Sequence, residues 1–493
     1  MQPWLSGLAL ALFVAVAAPS SSGQSLTTNG VWHYELVEGS SLEDDCPICE
    51  RPTILQPMRG SFELALQEDI APFARYELRD ISFLAGSAAG QQYRVKGSGA
   101  YEVFSEFAII QTLTLQVQID DGITNKFCFL TNAPGPVGRL WPMIEVAADQ
   151  TNGTATQVYH LNLEAAPFRE LWFSTVSGLT SGHWQPPTNH VSGGDFISSA
   201  GRVVKRNREL TANLGLMPTA PDLGLDAADI LPGGEIVFSL AQDAFSETLG
   251  PIQHGDLLSD RGRIAQRNQD LLAAFLPQPA GVDAGLDAVR VLESGEFYFS
   301  IASNIFSGKL GTLLGRGDLL SNRGKIIKRN QELLARFAPA VSNKDYGLDA
   351  IYIWPSGEIW FSTEEGFADQ QLRLFQPGDI LSDQGRLVIR NLDLLAPFAP
   401  LEDLSDFGLD ALFVVTDAIA PAPAPSFTRI GMDPQTGNIR LEWQGAGRVF
   451  QVERAGQASG PYLSLGAIRP DLFFEDGGAL MSRAQSFYRL RQW

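Results

Sequence analysis

The sequence predicts an all-β protein whose central part is a ring of four like units, and three observations lead to this class. The pentapeptides GDFIS, GDLLS, GDLLS and GDILS recur at intervals of 61, 62 and 61 residues, starting at Gly194, Gly255, Gly317 and Gly378. The tetrapeptide GLDA keeps the same intervals, at Gly224, Gly285, Gly347 and Gly408. Between these motifs, short apolar runs alternate with turn residues, which is typical of stacked β repeats.

Each repeat is predicted to contain four strands and a short helix. In the last copy, the apolar runs Gly347–Trp354 and Glu358–Ser362 flank a Pro-Ser-Gly turn, and Gly378–Ser382 and Arg386–Arg390 form a second hairpin. Asn391 is expected at the N-cap of the helix that follows. Four strands are the content of one propeller blade, so we predict a four-bladed β-propeller over residues 165–416.

The repeats begin with the second strand of a unit, ELWFS at Glu170, and end with the first strand, Gly408–Val415. The ring closes if Gly408–Val415 pairs with the ELWFS strand, so that both ends of the region share one sheet. The alternative first strand is Val158–Leu163, which directly precedes ELWFS. We expect the closed ring.

The repeat resembles the hemopexin-like four-bladed propeller, in which each blade opens near an Asp-Ala pair and continues through a glycine turn into an aromatic strand. The Asp-Ala pairs here are Asp226-Ala227, Asp287-Ala288, Asp349-Ala350 and Asp410-Ala411. Aromatic strands end at Phe238-Ser239, Phe299-Ser300 and Phe361-Ser362. The resemblance covers about half the chain and implies the fold, not a function.

Two further modules flank the repeats. Residues 28–160 are predicted to form an N-terminal β-sandwich, with an open barrel as the alternative, because runs such as Gln111–Ile119 alternate apolar and polar side chains. A Pro/Ala linker spans 417–425. The module 426–493 resembles a fibronectin type III β-sandwich, with a Trp in the early strand Asn438–Trp443 and a Tyr in the last strand, Ser486–Gln492.

The N-terminus predicts export. Leu5–Ala18 is almost wholly apolar and precedes a run of small residues, so residues 1–23 are expected to be a signal peptide. No transmembrane segment is expected after its cleavage. The net charge of −20 argues against nucleic-acid binding, which needs a basic surface. We expect a monomer that is secreted, or held at the cell surface or in the periplasm.

Three cysteines allow few arrangements. In an exported chain, Cys46 and Cys49 are expected to form a local disulfide. A zinc site would add Cys128 and an unassigned fourth ligand. A thioredoxin-like redox role would require the pair to open a helix. Cys128 lies between Phe127 and Phe129 and is expected in the core.

Two repeated sets of charged residues are candidate binding sites. The carboxylates of Asp226, Asp287, Asp349 and Asp410 could ring a central channel and hold Ca²⁺, or each could accept backbone hydrogen bonds at the start of its strand. The guanidinium groups of Arg206, Arg267, Arg329 and Arg390 could bind an anionic glycan or a carboxylate. The alternative partners for these arginines lie across the hairpin, at Asp195, Asp256, Asp318 and Asp379.

Signatures of catalysis are weak. No HExxH motif occurs, and His183 and His190 lie in an irregular segment where a metal would need two further ligands. The sequence therefore favours non-catalytic binding of a glycan or protein partner at or outside the cell envelope. One alternative is a secreted glycan-active hydrolase whose carboxylates lie in the propeller channel. The other is a purely structural surface or matrix protein.

Overall fold

The computed structural model describes residues 30–49, 52–87, 90–105, 108–218, 222–419, 423–433, 435–479 and 485–493. The signal peptide predicted at 1–23 lies outside these ranges. The fold is all-β, and the α-helices within the described ranges have only four or five residues each. The chain divides into two compact units. One comprises Asn29–Asp229 and Ile236–Ile419, and the other contains Ile230–Glu235 and the region from Ala420 to Trp493.

The repeat region contains four four-stranded antiparallel sheets, here called the first to fourth repeat sheets. The first consists of Leu412–Val415, Glu170–Phe173, Phe196–Ser198 and Arg202–Lys205. The second consists of Ala228–Ile230, Ile236–Phe238, Leu257–Ser259 and Arg263–Gln266. The third consists of Val289–Val291, Phe297–Phe299, Leu319–Ser321 and Lys325–Lys328. The fourth consists of Ile351–Ile353, Ile359–Phe361, Ile380–Ser382 and Arg386–Ile389.

The first repeat sheet joins the two ends of the region. Leu412–Val415 pairs antiparallel with Glu170–Phe173, from Glu170 opposite Val415 to Phe173 opposite Leu412. The other candidate for this place, Val158–Ala166, pairs instead with Ser41–Asp45 and Ile144–Gln150 in the N-terminal sheet. The last strand of the repeats therefore completes the sheet that contains their first strand.

A circuit of buried hydrogen bonds links each repeat sheet to the next. The serine that ends the second strand of one sheet donates its hydroxyl hydrogen to the Leu carbonyl oxygen of the GLDA motif leading into the following sheet. The donors Ser174, Ser239, Ser300 and Ser362 bond to Leu225, Leu286, Leu348 and Leu409 at 2.8, 2.8, 2.7 and 2.9 Å. The last bond returns to the first sheet, so every sheet both donates and accepts a hydrogen bond. We call the contact between two such sheets a seam, and the four donors the seam serines.

A helix follows the last strand of each sheet. The helices are Asn207–Leu210, Asn268–Leu272, Asn330–Leu333 and Asn391–Leu395. The prediction of Asn391 as N-cap was wrong, because Arg390 occupies that position and Asn391 is the first helical residue. The Asn391 side chain is needed elsewhere: its amide donates to the carbonyl oxygens of Gly378, at 3.3 Å, and Gly408, at 3.2 Å. It thereby ties the helix to the hairpin before it and to the next GLDA motif.

The N-terminal part forms one ten-stranded sheet rather than the two sheets of the predicted β-sandwich. Its strands are Val31–Leu36, Ser41–Asp45, Ile54–Ile70, Phe73–Ala85, Tyr93–Phe104, Ile110–Asp120, Asn125–Thr131, Gly135–Pro136, Ile144–Gln150 and Val158–Ala166. Pairing runs in sequence from Ser41–Asp45 to Ile144–Gln150, and Val158–Ala166 bonds to both of these strands. One strand thus joins the two ends of the sheet into a closed circuit around an apolar core.

The alternation predicted at Gln111–Ile119 is confirmed. Leu113, Leu115, Val117 and Ile119 are buried, whereas Thr114, Gln116 and Gln118 are exposed. This strand therefore has one face in the core and one face in water, as its period of two residues requires.

Ion pairs attach the N-terminal sheet to the fourth repeat sheet. In the first repeat sheet, Glu170 bonds to the arginine of its own hairpin, Arg202, at 2.6 Å. In the fourth, the equivalent Glu358 binds Arg139 from the N-terminal part, and the side chains of this pair are only 5% and 3% exposed. The hairpin arginine, Arg386, turns outward to Glu145 at 2.7 Å and Glu164 at 2.9 Å. The glutamate–arginine pair that lies within the first repeat sheet is therefore formed, in the fourth, between the repeat sheet and the N-terminal part.

The C-terminal module contains two three-stranded sheets around one core. The first comprises Ser426–Asp433, Asn438–Gln444 and Phe473–Asp476. The second comprises Leu463–Ser464, Phe450–Ala455 and Phe487–Gln492. Trp443 from the first sheet and Val452 from the second belong to the same apolar core. Asp476 joins the sheets through polar contacts, with Arg454 Nη1 and with the Tyr488 hydroxyl, both at 2.7 Å.

We expect Ser300→Ala to lower the free energy of unfolding by about 1–3 kcal/mol, because the Leu348 carbonyl loses its hydroxyl partner in a dry seam. Chemical denaturation followed by circular dichroism measures this loss. The matched control, Ser303→Ala, removes an exposed hydroxyl from the same repeat and should change stability by less than about 0.5 kcal/mol. Equal effects of the two substitutions would contradict a stabilising role for the seam.

Candidate functional site: a cluster of buried carboxylates

The GLDA motif places one aspartate from each repeat sheet. Its glycine has a φ of 78° at Gly224, 76° at Gly285, 76° at Gly347 and 71° at Gly408, a region that favours glycine. The Leu carbonyl that follows is held by the serine of the neighbouring sheet. The aspartate comes next, so its position is set by a seam between two sheets. We call Asp226, Asp287, Asp349 and Asp410 the aspartate tetrad.

The four carboxyl groups of the tetrad interact electrostatically. Asp287 is 7% exposed and Asp349 is 9% exposed, whereas Asp226 and Asp410 are half-buried. The charge of Asp349 acts on Asp287, and the charge of Asp410 acts on Asp349. Asp410 is in turn affected by Asp226 and by Asp287. These interactions, between neighbouring and between alternate sheets, place the four carboxyl groups within electrostatic range of one another.

Burial raises the pKa of every tetrad member, because removal from water disfavours the charged form of a carboxyl group. The pKa of Asp226 rises to about 6 through burial, against the opposing effect of His254. The pKa of Asp287 rises to about 9 through burial and then through the charges of Asp349 and Glu364. For Asp349 and Asp410, burial and the neighbouring aspartates raise the pKa well above its ordinary range.

Glu364 adds a fifth carboxylate from the fourth repeat alone. The equivalent positions, two residues after each seam serine, are Val176, Ala241 and Ala302. Glu364 Oε2 accepts a hydrogen bond from Arg316, while Glu364 Oε1 is buried and has no donor among the described residues. Burial raises the pKa of Glu364, and a protonated Asp287 would oppose this rise by donating a hydrogen bond to it.

Two of the four repeats place a basic side chain beside these carboxylates. The residue before each Gly-Asp pair is Gly193, His254, Arg316 or Pro377. His254 lowers the pKa of Asp226 and its Nδ1 contacts Asp243 Oδ1 at 2.9 Å. Arg316 pairs with both Glu364 and Glu365. Among the residues that the structure describes, the tetrad and Glu364, together called the carboxylate cluster, have two basic neighbours, His254 in the second repeat and Arg316 in the third.

The residue three positions after each tetrad aspartate has a large or charged side chain that is buried. Asp229, Arg290, Tyr352 and Phe413 are only 1%, 6%, 1% and 3% exposed. Arg290 Nη1 bonds to Asp229 Oδ1 at 2.8 Å, and its guanidinium lies 4.7 Å from the centre of the Tyr352 ring. These contacts join the second, third and fourth repeat sheets beneath the carboxylate cluster.

The carboxylates do not form a metal site as they stand. Across the residues that the structure describes, no group of three or more His, Cys, Asp or Glu side chains is arranged to hold a metal ion. The tetrad brings together the ligand type that Ca²⁺ prefers, but not its coordination geometry. Calcium binding by the tetrad stays a prediction.

The four repeated arginines bond to the aspartates that were their predicted alternative partners. Arg206, Arg267 and Arg329 each contact the paired aspartate at 2.6 Å, and Arg390 contacts Asp379 at 3.8 Å. The same aspartates accept the backbone N–H of the first helical residue, as Asp195 does from Asn207 at 2.9 Å. Each guanidinium thus holds a hairpin to its helix. Ligand binding by these arginines stays a prediction.

The remaining predicted residues lie away from the cluster. Cys46 and Cys49 are joined by a disulfide, and Cys128 is a buried free thiol. His183 and His190 are exposed. Within the described ranges, no helix has the length and apolar character that crossing a membrane requires.

Sequence reasoning missed a second repeated aspartate, two residues before each GLDA glycine, at Asp222, Asp283, Asp345 and Asp406. Asp222, for example, accepts the N–H of Gly194 at 3.0 Å and of Gly224 at 2.9 Å, which fastens hairpin to motif. The recurrence of Asp-x-Gly-Leu-Asp could have revealed it. Glu364 could have been found as the one charged residue at a position otherwise occupied by Val or Ala.

Comparisons of the chain with protein-family models, with curated proteins and with solved structures found no match. The function is therefore argued from the geometry and chemistry of the chain itself.

The raised pKa values predict that the protein loses stability as pH rises from about 4 to about 9. A carboxyl whose pKa is higher in the folded than in the unfolded chain stabilises the fold while protonated, and this contribution is lost as pH rises through the folded pKa. Asp287→Asn keeps the neutral form, so near pH 8 it should raise the free energy of unfolding by at least about 1 kcal/mol.

Near pH 3 the variant and the natural protein should have the same stability, because Asp287 is then protonated in both the folded and the unfolded chain. Thermal melting across this pH range measures both effects. The control Asp403→Asn changes an exposed aspartate and should show no such pH-dependent gain. A constant difference between Asp287→Asn and the natural protein at all pH values would contradict the assignment.

Proposed function

We propose that the chain is an exported, non-catalytic binding protein that recognises a glycan or protein partner at or outside the cell envelope. We further propose that the partner presents a positively charged group to the carboxylate cluster. The observation that carries this proposal is that five carboxyl groups act on one another electrostatically, with His254 and Arg316 as their basic neighbours among the described residues.

Charge without a counter-charge determines the energetics of the carboxylate cluster. A buried carboxylate without a counter-charge is costly, so the cluster keeps protons that ordinary carboxyl groups release. An ammonium or guanidinium group from a partner would replace those protons and pair with the carboxylates left behind. Such a group occurs on lysine and arginine side chains and on amino sugars, which fits both kinds of partner.

The proposed scaffold is a closed four-bladed β-propeller resembling the hemopexin-like fold. Its support is the pairing of Leu412–Val415 with Glu170–Phe173 and the serine circuit that returns to the first sheet. For the C-terminal module, we propose a fibronectin type III-like sandwich. Its support is the pair of three-stranded sheets, with Trp443 in the shared core and Tyr488 packed against it.

The binding proposal predicts that cation binding releases protons and strengthens as pH rises. We expect a lysine-rich peptide to bind more tightly near pH 8 than near pH 6, by about tenfold, because the cluster is then less protonated while the lysine ammonium groups stay charged. Isothermal titration in buffers of different ionisation enthalpy measures affinity and proton release together. Calcium chloride, titrated in the same way, tests whether the tetrad binds Ca²⁺.

The double substitution Asp349→Asn with Asp410→Asn should abolish this binding, whereas Asp403→Asn should leave it unchanged. Binding that persists in the double variant, or that releases no protons, would show that the cluster is not the contact.

A secreted glycan-active hydrolase is the second candidate, favoured by the different protonation of Asp287 and its neighbour Glu364. Glycosidases use one carboxyl group that holds its proton and one that is ionised, and the pKa of Asp287 is raised to about 9 beside Glu364. If this candidate is right, a panel of chromogenic glycosides will be turned over, and Glu364→Gln will reduce kcat by at least about a hundredfold. Absence of turnover across the panel supports the non-catalytic proposal.

A further inference from the structure

A second candidate site lies away from the carboxylate cluster, in a cleft of 640 Å³ between the N-terminal sheet and the first and fourth repeat sheets. All of these elements belong to one compact unit. The volume falls within the range of about 300–1,000 Å³ that is usual for ligand pockets. We call it the lateral cleft.

The floor of the lateral cleft is apolar. Val37, Met58, Phe168 and Leu394 line it and are at most 5% exposed. Leu55, by contrast, is 63% exposed where it meets the cleft. The serines Ser41 and Ser199 add hydroxyl groups to the wall. A ligand seated here would meet an apolar surface below and hydrogen-bonding groups around it.

Four of the five charged side chains in the wall have a counter-charge: Glu38 pairs with Arg390 at 3.7 Å, Arg169 with Asp417 at 2.8 Å, and Arg59 with Asp393. The fifth, Glu35, bonds to the His33 ring at 2.8 Å. A charged ligand would leave one member of a pair uncompensated, which costs free energy in a partly dry site. The electrostatics of the cleft therefore favour an uncharged ligand.

Comparison of the four repeats shows that the side chain at the cleft is smaller than its counterparts. The turn between the last two strands of each repeat sheet reads SSAGR in the first, and SDRGR, SNRGK and SDQGR in the others. Only the first of these turns lines the cleft, through Ser199 and Ala200. Ala200 replaces the larger residues Arg261, Arg323 and Gln384.

Ser199 keeps the structural task of its counterparts with a smaller side chain. Its hydroxyl oxygen accepts the N–H of Leu171 at 3.0 Å. In the third repeat sheet, Asn322 accepts the N–H of Phe297 at 3.1 Å in the same way. The turn thus retains its hydrogen bond while side-chain volume is removed only where the cleft lies.

We propose that the lateral cleft binds an uncharged glycan segment. A sugar ring combines an apolar face, for the floor of Phe168 and Leu394, with hydroxyl groups for the serines and for the edges of the paired carboxylates and guanidinium groups. This site does not use the carboxylate cluster and takes ligands of different charge. It can therefore be right or wrong independently of the function proposed above.

The test is isothermal titration of the full chain with uncharged oligosaccharides, cellohexaose, maltohexaose, laminarihexaose and mannohexaose, and with an oligogalacturonate as the anionic comparison. Ala200→Trp fills the cleft from an exposed turn and should weaken binding of the uncharged probe by at least about tenfold. Leu55→Ser should weaken it less, by about twofold to fivefold, because one exposed apolar contact is lost.

The matched control is Arg323→Trp, which puts the same bulky side chain at the equivalent turn of the third repeat sheet, outside the cleft. It should bind as the natural protein does, and so should the double variant Asp349→Asn with Asp410→Asn. The proposal is overturned if no uncharged probe binds, if the oligogalacturonate binds more tightly, or if Ala200→Trp binds unchanged.

Discussion

The hydrogen bond from a seam serine to the Leu carbonyl of the next GLDA motif is the constraint on which the repeat region depends. It recurs four times at 2.7–2.9 Å, and both partners are buried. Because the glycine before this Leu has a positive φ, the carbonyl can turn towards the neighbouring sheet. The bond therefore fixes the register of adjacent sheets, and it also fixes where the following aspartate must go.

That placement has a cost. A motif that joins sheets through Leu brings one carboxyl group per repeat within electrostatic range of the others. Burial raises the pKa of each, and neighbouring aspartates raise it further for Asp287, Asp349 and Asp410. The Asp229–Arg290 pair and the Tyr352 ring stabilise the layer beneath. Among the described residues, the basic side chains that act on the tetrad are those of His254 and Arg316. Retention of charge that packing does not require is typical of a site that serves binding or chemistry.

Buried charges between the N-terminal part and the fourth repeat sheet are paired differently from those of the first sheet. Glu358 pairs with Arg139, whereas the equivalent Glu170 pairs with Arg202 of its own sheet. Arg386, the counterpart of Arg202, pairs with Glu145 and Glu164. Since each charge keeps a partner only when both parts are in place, the exchange specifies which repeat accepts the N-terminal sheet. The lateral cleft lies along the same junction, so its shape depends on this attachment.

The sequence by itself determined the all-β class, the period of the repeats, the half-buried strand at Gln111–Ile119 and the four aspartates, because these follow from local patterns of apolar side chains and turn residues. It could not decide between Gly408–Val415 and Val158–Leu163 as partner of Glu170–Phe173, since both are short apolar runs able to pair. It left open whether the N-terminal strands form a sandwich or an open barrel, whereas Val158–Ala166 closes one sheet. Glu364 came beside the tetrad, and Ala200 came to line a cleft, only through contacts between residues far apart in the chain. Such contacts depend on the mutual packing of whole sheets, which no local pattern encodes.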